Sequence, residues 1–313
     1  MVNRQHFGLY FTPEHVAYAQ KHREEPPFDA VWRLLREREE AGVQGAQWCG
    51  LRYRFEGDDL AAEQAIKKLL AFSSQPFDAE MTYLDALNQS LIEAHAFEMV
   101  RDHPAMDGVR RAQFLEAYSR RIAYVNEVDY SRSYVEQLRL ALANLVAGIV
   151  MEDDARFDAA VAFYQQVVRE DIHPQGYILK AVEARDGGGL LRQLVSVASL
   201  TLMAEAATHA GVDLWSYSYR GVSLMTACMY LVYYYFYPEK WLWDDNVTNE
   251  PYREYGGFLE IANRRAGHAD IQAVLDELRP IYDPAGGGLT TLTHGVVKSR
   301  AKLRLFGREI ALC

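Results

Sequence analysis

The chain has 313 residues, of which half are hydrophobic and 12% are aromatic. This composition supplies enough apolar surface for a large core and excludes an intrinsically disordered protein. The formal net charge is −10, from 33 basic and 43 acidic residues. Because non-specific nucleic-acid binding needs a basic surface, no nucleic-acid partner is expected. The same charge argues mildly against a strongly anionic polymer as substrate, although a local basic groove would override it.

The number of cysteines and the length of the apolar runs indicate the cellular compartment of the protein. Cys49, Cys228 and Cys313 are odd in number and far apart, so neither a disulfide framework nor a zinc site is predicted and a reducing compartment fits best. The first residues lack the apolar run of a secretory signal. The apolar run 221–237 is short and rich in tyrosine, which favours a core helix over a membrane span. We expect a cytoplasmic protein with no membrane partner, or a secreted or periplasmic one if a signal was removed.

Helical periodicity recurs along the first half of the chain. Thr12 followed by Pro13 is typical of a helix start. Pro26-Pro27 should interrupt the helical structure. Turns are predicted at Glu56-Gly57-Asp58 and at the acidic run 151–154. The predicted helices run from Pro13 to about residue 23 and over 31–35, 59–72, 83–101, 110–124, 132–150 and 154–170.

The second half continues the helical pattern after a less regular stretch up to residue 189. Gly211 is a good C-terminal cap, and Pro238 should end the preceding helix. The tail 280–295 contains three consecutive glycines and two prolines, which predicts irregular chain or short strand. The predicted helices cover 190–210, 221–237, 251–266 and 269–278.

The repeated order of helix, turn and helix predicts an all-α fold. Antiparallel helix hairpins of this size stack side by side, and each buries its apolar face on the next. No strand-rich block and no Ser, Gly and Pro-rich linker interrupts the pattern. We therefore predict a single domain over residues 1–313. Whether the array closes on itself does not follow from the periodicity.

Several segments together resemble the alginate lyase family. The central segment 157–219 contains the block FDAAVAFY, a Gly176-Tyr177 step, an apolar helix ending near Met203-Ala204-Glu205, and the Gly-Val-Asp-Leu-Trp run 211–215. The flanking segments that resemble the family are 7–20, its opening; 51–70, its second hairpin; and 279–292, its glycine-rich ending.

This resemblance implies an incomplete (α/α) toroid of stacked helix hairpins with a substrate groove across its mouth. It implies a uronic-acid-containing carbohydrate, or a related small molecule, as partner, and β-elimination as the reaction. In the family, one group neutralises the uronate carboxylate, a base removes the C5 proton and an acid, usually a tyrosine, protonates the departing oxygen. Side-chain donors supply the stabilisation, so neither a metal nor another cofactor is expected.

The catalytic positions of the family carry other residues in this chain. An ungapped alignment places Tyr134, Val135 and Glu136 where the family has Asn-Asn-His. Arg185 matches the family's arginine, and the later Tyr-His pair falls on Arg192 and Gln193. The neutralising Asn and the catalytic His and Tyr are therefore all expected to be replaced.

Three interpretations of these residues stay open. In the first, Glu136 is the general base or acid, Arg192 neutralises the substrate carboxylate with help from Arg185 and Gln193, and Tyr134 or Tyr130 donates the proton. In the second, Glu136 and Arg192 form an ion pair between neighbouring helices in place of a lost active site. In the third, the alignment is shifted.

Two arginines extend this candidate site. Arg132, Glu136 and Arg139 follow one another at i, i+4 and i+7, which places them on one face of a helix. In a toroid that face would line the groove and bind substrate. An equally good interpretation is a charged face in contact with solvent.

The remaining candidates for substrate binding are histidines and aromatic residues. His173 and His294 lie in loop-like segments where the rim of a groove is expected, although surface histidines are common there. Tyr219 and Trp243 belong to a dense aromatic series, and sugar rings stack on such side chains. Tyr230, Tyr233, Tyr234 and Tyr237 share one helix face, which favours a core stripe. The histidines show no spacing typical of a metal site.

The function predicted from the sequence is an alginate-lyase-like enzyme that acts on a uronic-acid-containing carbohydrate by β-elimination with a remodelled acid/base set. One alternative is a glycan-binding protein without catalysis, because the family's catalytic residues are missing together. Another is an intracellular tailoring enzyme that acts on a small polyhydroxylated molecule.

Overall fold

The computed structural model describes residues 6–77, 80–127 and 132–297, and the backbone of Lys302–Leu305 and Arg308–Ala311. The helices are α1 (Pro13–Lys21), α2 (Phe28–Glu37), α3 (Gly42–Glu56), α4 (Asp59–Ser73), α5 (Tyr83–Val100), α6 (Gly108–Glu127), α7 (Tyr134–Val150), α8 (Asp154–Glu170), α9 (Leu179–Val182), α10 (Gly189–His209), α11 (Leu224–Phe236), α12 (Glu250–Tyr255), α13 (Gly257–Ala266), α14 (Ala269–Leu278) and α15 (Thr290–His294). The predicted all-α class is confirmed.

Within the described residues, the strands form two short antiparallel pairs. β1 (Ser218–Tyr219) pairs with β2 (Val222–Ser223), with Ser218 opposite Ser223. β3 (Lys302–Leu305) pairs with β4 (Arg308–Ala311).

Most helix limits agree with the sequence predictions because caps mark them. Thr12 is the N-cap of α1 with proline in its first turn, and the Asp153 carboxylate accepts the Arg156 N–H at the start of α8. Two predictions are wrong in detail: the helix expected over 251–266 is divided at Gly256 into α12 and α13, and the tail 280–295, expected to be irregular or strand, contains α15. In addition, periodicity did not predict α3. Consecutive positions of α3 from Gly45 to Leu51 are all buried. A helix buried on all sides has no polar face, so it lacks the amphipathic pattern.

The helices form a ring of inner and outer members. The inner helices α3, α5, α7 and α10 contact one another in that order, while α4, α6 and α8 pack outside them. The hairpin α13–α14 continues the array, since α13 contacts α10 and α15. Because each outer helix runs back along its inner neighbour, the N-terminal ends of the inner helices lie on one side. We call this side the mouth of the ring.

Close contacts fix the hairpins. A Cβ atom added to Gly148 of α7 would lie 2.8 Å from the backbone nitrogen of Phe157 in α8, so only glycine permits this approach. Between α5 and α6, the rings of Phe97 and Phe114 stack with centroids 4.1 Å apart. Burial of each such aromatic side chain stabilises the fold by roughly 1.5–3 kcal/mol.

Two features of the core bear on the earlier expectations. α10 is long and apolar enough to cross a membrane, but most of it is buried inside the protein. The thiols of Cys49 and Cys228 are free and buried. Burial raises the pKa of the Cys228 thiol to about 12. Cys313 lies outside the described residues.

Candidate active site

A cavity of about 480 Å³ opens at the mouth of the ring. α3, α5 and α7 contribute residues from near their N-terminal ends, and α12 and the glycine-rich tail close the opposite side. We call it the mouth pocket. Its lining residues are Gln44, Glu80, Met81, Asp85, Asn88, Gln89, Ile92, Arg139, Glu254, Tyr255, Tyr282, Asp283, Pro284 and Ala285.

Arg139 forms part of the floor of the mouth pocket. It follows the first turn of α7, and its side chain is only 1% exposed. Its Nε and Nη1 atoms have no hydrogen-bond partner among the residues the structure describes. Burial lowers the pKa of the guanidinium, which nevertheless stays charged because arginine loses its proton only at very high pH. Buried donors without acceptors are costly, so this arrangement points to a ligand anion.

Asp283 contributes a buried carboxylate to the same pocket and is 5% exposed. Its Oδ1 atom accepts the Gly286 N–H at 2.8 Å, whereas Oδ2 has no partner within the described part of the chain. Burial raises the pKa of this carboxyl to about 6, against the opposing effects of the Arg139 charge and the Gly286 hydrogen bond. The group is therefore suited to exchange protons near neutral pH.

The glycine-rich tail holds Asp283 in place. The backbone of Asp283 pairs with Gly288 in both directions, at 3.0 and 2.7 Å. A Cβ atom added to Gly286 would overlap the Asp283 carboxylate. Glycine at this position thus allows the carboxylate to fold back over the turn.

Two tyrosines near these groups are potential proton donors. The hydroxyl of Tyr282, which lines the pocket, and that of Tyr10 have no hydrogen-bond partner among the described residues. Burial raises the pKa values of both hydroxyls, and the Asp283 charge contributes to the increase. Tyr282 is fixed by an edge-on contact with Trp48, with centroids 4.9 Å apart.

A second cavity, of about 550 Å³, lies outside the ring between α6, α7 and α8. Its polar groups bind one another: Asn126 and Asn144 exchange two side-chain hydrogen bonds, and Arg156 donates to Asn144. Because these three side chains already bind one another, this cavity has less need of a ligand than the mouth pocket. We therefore take the mouth pocket as the candidate active site.

Comparison with known families agrees with this architecture. Residues 13–241 match the family model described as alginate lyase. The chain belongs to the alginate lyase family. No curated protein matches it in sequence.

Solved structures of alginate lyases share the fold. Alginate lyase A1-III from Sphingomonas species A1 is 19% identical with a TM-score of 0.68, over 86% of this chain and 78% of that one. A variant of A1-III complexed with tetrasaccharide gives a TM-score of 0.67 at 19% identity, over 88% and 82% of the two chains. An alginate lyase from Bacteroides ovatus is 12% identical with a TM-score of 0.66, over 94% and 99%. Family and fold support a polysaccharide-lyase-like function for this alginate lyase family member.

Glu136 and Arg192, the pair predicted to face a shared hollow, each have a local partner. Glu136 closes a capping box at the start of α7, where its Oε2 atom accepts the Ser133 N–H at 2.7 Å and the Ser133 hydroxyl at 2.8 Å. Arg192 donates two hydrogen bonds to Asp186, at 3.0 and 2.7 Å, and a third to the Ala181 carbonyl. The described residues show no ion pair between them, and neither lines the mouth pocket. Their catalytic roles stay predictions.

The other residues at the family's catalytic positions also have structural contacts. The Tyr134 hydroxyl donates to Asp171 at 2.6 Å, and burial raises its pKa far above the usual value. Gln193 is buried and holds the preceding loop, accepting from Ile178 N–H at 3.0 Å and donating to the Gly176 carbonyl. Arg185 is exposed on the loop before α10 with a positive φ of 50°. Tyr130 lies outside the described residues.

The predicted helix face of Arg132, Glu136 and Arg139 is wrong. Ser133 is the N-cap of α7, so Arg132 precedes the helix and does not share its periodicity. The Arg132 guanidinium instead donates to the Asn126 carbonyl at 3.2 Å and lines the outer cavity. Only Arg139 reaches the mouth pocket.

His173 and Trp243 lie in one aromatic cluster. His173 stacks on Tyr177 with centroids 4.3 Å apart, and Tyr177 contacts Trp243 at 5.0 Å. The Trp243 indole donates to the Tyr230 hydroxyl at 3.0 Å. Tyr219 lies elsewhere, in β1, with the Arg220 guanidinium 5.2 Å from its ring centroid.

The tyrosines predicted to form a core stripe on α11 are only partly buried. Tyr234 is buried, whereas Tyr233 and Tyr237 are each 43% exposed. The stripe therefore packs on the core along one edge only.

His294 is buried in α15 and is not among the residues that line the mouth pocket. Its Nε2 atom lies 3.7 Å from Oε1 of Glu205, which is also fully buried. His15, Glu205 and His294 offer ligand atoms within 4.8 Å of one another, and these three could hold a metal ion.

The hydrogen bonds around Glu205 disfavour a metal there. Arg265 donates to both carboxylate oxygens, at 3.0 and 2.9 Å, and the Trp215 indole donates at 2.9 Å. The Thr12 N–H donates to Nδ1 of His15, which leaves the proton of a neutral ring on Nε2 and blocks that atom as a ligand. Burial opposes ionisation of Glu205, but hydrogen bonds from His209 and His294 hold its pKa well below the usual value. The cluster is an ion-pair centre.

Sequence reasoning missed Asp283, Glu254, Asp85 and Asn88. The one available signal was the position of Asp283 immediately before Pro284 and the run of glycines, a pattern typical of a functional turn.

Proposed function

We propose that the mouth pocket binds the carboxylate of a uronic acid on Arg139 and that this family member cleaves the adjacent C4–O bond by β-elimination. The observation that carries the proposal is the buried Arg139 guanidinium, whose Nε and Nη1 atoms lack partners in the described part of the protein. Guanidinium groups fork onto carboxylates with two parallel hydrogen bonds. Membership of the alginate lyase family supports a carbohydrate as the partner.

The pocket also offers an acid/base set for the reaction. Asp283 would accept the C5 proton on Oδ2, the freed electron pair would form the C4–C5 double bond, and the C4–O bond would break. Tyr282 would give its hydroxyl proton to the departing oxygen and regain one from solvent. Arg139 would stabilise the negative charge that develops on the carboxylate as the proton leaves.

This assignment gives the base to Asp283 and the carboxylate partner to Arg139, in preference to Glu136 and Arg192. Glu136 accepts two hydrogen bonds as a helix cap, and Arg192 is bound to Asp186. Arg139 and Asp283 both keep polar atoms without partners among the described residues. Groups with unused hydrogen-bonding capacity are better placed to meet a substrate.

The direct test follows the absorbance of unsaturated ends on alginate, glucuronan and glycosaminoglycans. Arg139→Gln should lower kcat/KM by about 10²–10³-fold, since it removes the carboxylate's partner. Asp283→Asn should lower kcat by about 10²–10⁴-fold, as expected for loss of a general base. Arg132→Gln is the matched control, because that arginine lines the outer cavity. Wild-type activity that survives Arg139→Gln would contradict the proposal.

A small molecule is a second candidate for the substrate. The mouth pocket, at about 480 Å³, lies in the lower part of the range for small-molecule sites. An intracellular enzyme that eliminates across a short uronate would fit this volume. Turnover of unsaturated-end products from uronate disaccharides, without turnover of polymers, would favour it. Binding of uronates without any product would favour a glycan-binding protein.

A further inference from the structure

The mouth pocket contains more acidic than basic side chains. Glu80, Asp85, Glu254 and Asp283 line it, and Arg139 is the basic residue among its lining residues. Asp283 and Arg139 are buried on the floor, whereas the other three carboxylates are exposed on the rim. A uronate carboxylate that reaches Arg139 must therefore pass a ring of like charge.

The rim acids lie on different sides of the opening. Asp85 lies in the first turn of α5, where it accepts the Thr82 hydroxyl at 2.6 Å. Glu254 lies in α12, on the opposite side of the opening, and its charge contributes to the raised pKa of Asp283. The carboxylates of Asp85 and Glu254 thus face the same opening from two elements.

The floor and the rim differ in the ligand charge they favour. The floor offers Arg139 and the N-terminal ends of α3, α5 and α7, whose backbone dipoles favour a negative group. The rim offers carboxylates, which favour a positive group a few ångströms further out. A ligand complementary to both layers carries a carboxylate at one end and a cation at the other.

We propose that the mouth pocket recognises a zwitterionic sugar acid, in which a protonated amine accompanies the uronate carboxylate. The inference rests on the proposed function for the carboxylate half and extends it by the amine. The carboxylate binds Arg139 on the floor, and the ammonium lies between the rim carboxylates of Glu254 and Asp85. An unmodified polyuronate is disfavoured, because its neighbouring carboxylates would meet the rim.

The test is calorimetric binding at neutral pH with four probes: 2-amino-2-deoxyglucuronate, its N-acetyl derivative, glucuronate and glucosamine. Acetylation removes the cation and leaves the carboxylate. The amino sugar acid should bind about tenfold more tightly than the N-acetyl form. Glu254→Gln should reduce this preference by roughly two- to fivefold, the size expected for an exposed charge pair. Glu63→Gln, at an exposed position of α4, is the matched control.

Each other outcome overturns a defined part of the proposal. Equal or tighter binding of glucuronate or of the N-acetyl form refutes the amine and leaves the proposed uronate site intact. Glucosamine binding as tightly as the amino sugar acid, and unaffected by Arg139→Gln, refutes the carboxylate half and with it the proposed function. Ca²⁺ could instead compete with the amino sugar acid and lose its binding in Glu254→Gln. This result would show that the rim binds a metal cation and would refute the amine. No binding of any probe refutes both proposals.

Discussion

Replacing Asp283 with asparagine should stabilise the protein at neutral pH while it removes the proposed base. Burial raises the pKa of Asp283 to about 6 from an ordinary value of 3.8. Because the folded-state pKa exceeds the unfolded-state value, the stability contributed by the neutral carboxyl is fully present below about pH 4. It is lost as the pH rises through about 6, and the two-unit shift corresponds to about 3 kcal/mol.

Asparagine keeps the acceptor for the Gly286 N–H and cannot ionise, so it avoids this loss. The stability difference between Asp283→Asn and wild type should therefore grow by about 3 kcal/mol between about pH 4 and pH 7. Urea unfolding at a series of pH values measures it, with Asp158→Asn at an exposed position of α8 as control. A difference that stays constant with pH would refute a buried, weakly solvated Asp283 carboxylate. If Asp283→Asn is more stable than wild type and has no lyase activity, Asp283 serves function at the expense of stability.

Three further predictions follow from contacts outside the pocket. Glu205→Ala removes a buried carboxylate and leaves the Trp215 indole N–H and the partly exposed Arg265 guanidinium without their acceptor. Urea unfolding should show a loss of about 1–3 kcal/mol; a loss below about 0.5 kcal/mol would contradict a buried Glu205 that satisfies these donors. Gly148→Ala places a methyl group against Phe157 and should lower the free energy of unfolding by about 1–3 kcal/mol, as measured by thermal melts. An unchanged melting temperature would show that the two helices can move apart without loss of stability. Glu136→Gln keeps the capping box, so stability should stay within about 0.5 kcal/mol and lyase activity should be unchanged; lost activity would restore Glu136 as a catalytic candidate.

The sequence predicted the helices where local signals decide them. α8 has the predicted limits because an aspartate cap and an amphipathic pattern mark both its start and its course. α3 was not predicted because it is buried on all sides. Such a helix has no polar face and therefore shows no amphipathic periodicity in its sequence. The single domain predicted over the whole chain stays a prediction.

The pocket was harder to predict than the helices, because its walls come from distant parts of the chain. Arg139 was named as a substrate-binding residue, but on the basis of a helix face that also included Arg132. The serine cap at Ser133 separates the two arginines, and this cap was not anticipated. Asp283 was missed because the tail and α7 meet only in the folded ring, and that arrangement depends on contacts far apart in sequence. The role predicted for Glu136 is tested by Glu136→Gln, and the role predicted for Arg192 stays a prediction.

The buried Cys228 thiol can be used to measure local opening of the protein around α11. Since its pKa is about 12 and its side chain is fully enclosed, an alkylating reagent reaches a reactive thiolate only when α11 separates from the ring. The labelling rate of this one sulfur would measure how often that part of the wall opens. If a sugar acid in the mouth pocket slows the labelling, opening of the wall and occupancy of the pocket are coupled.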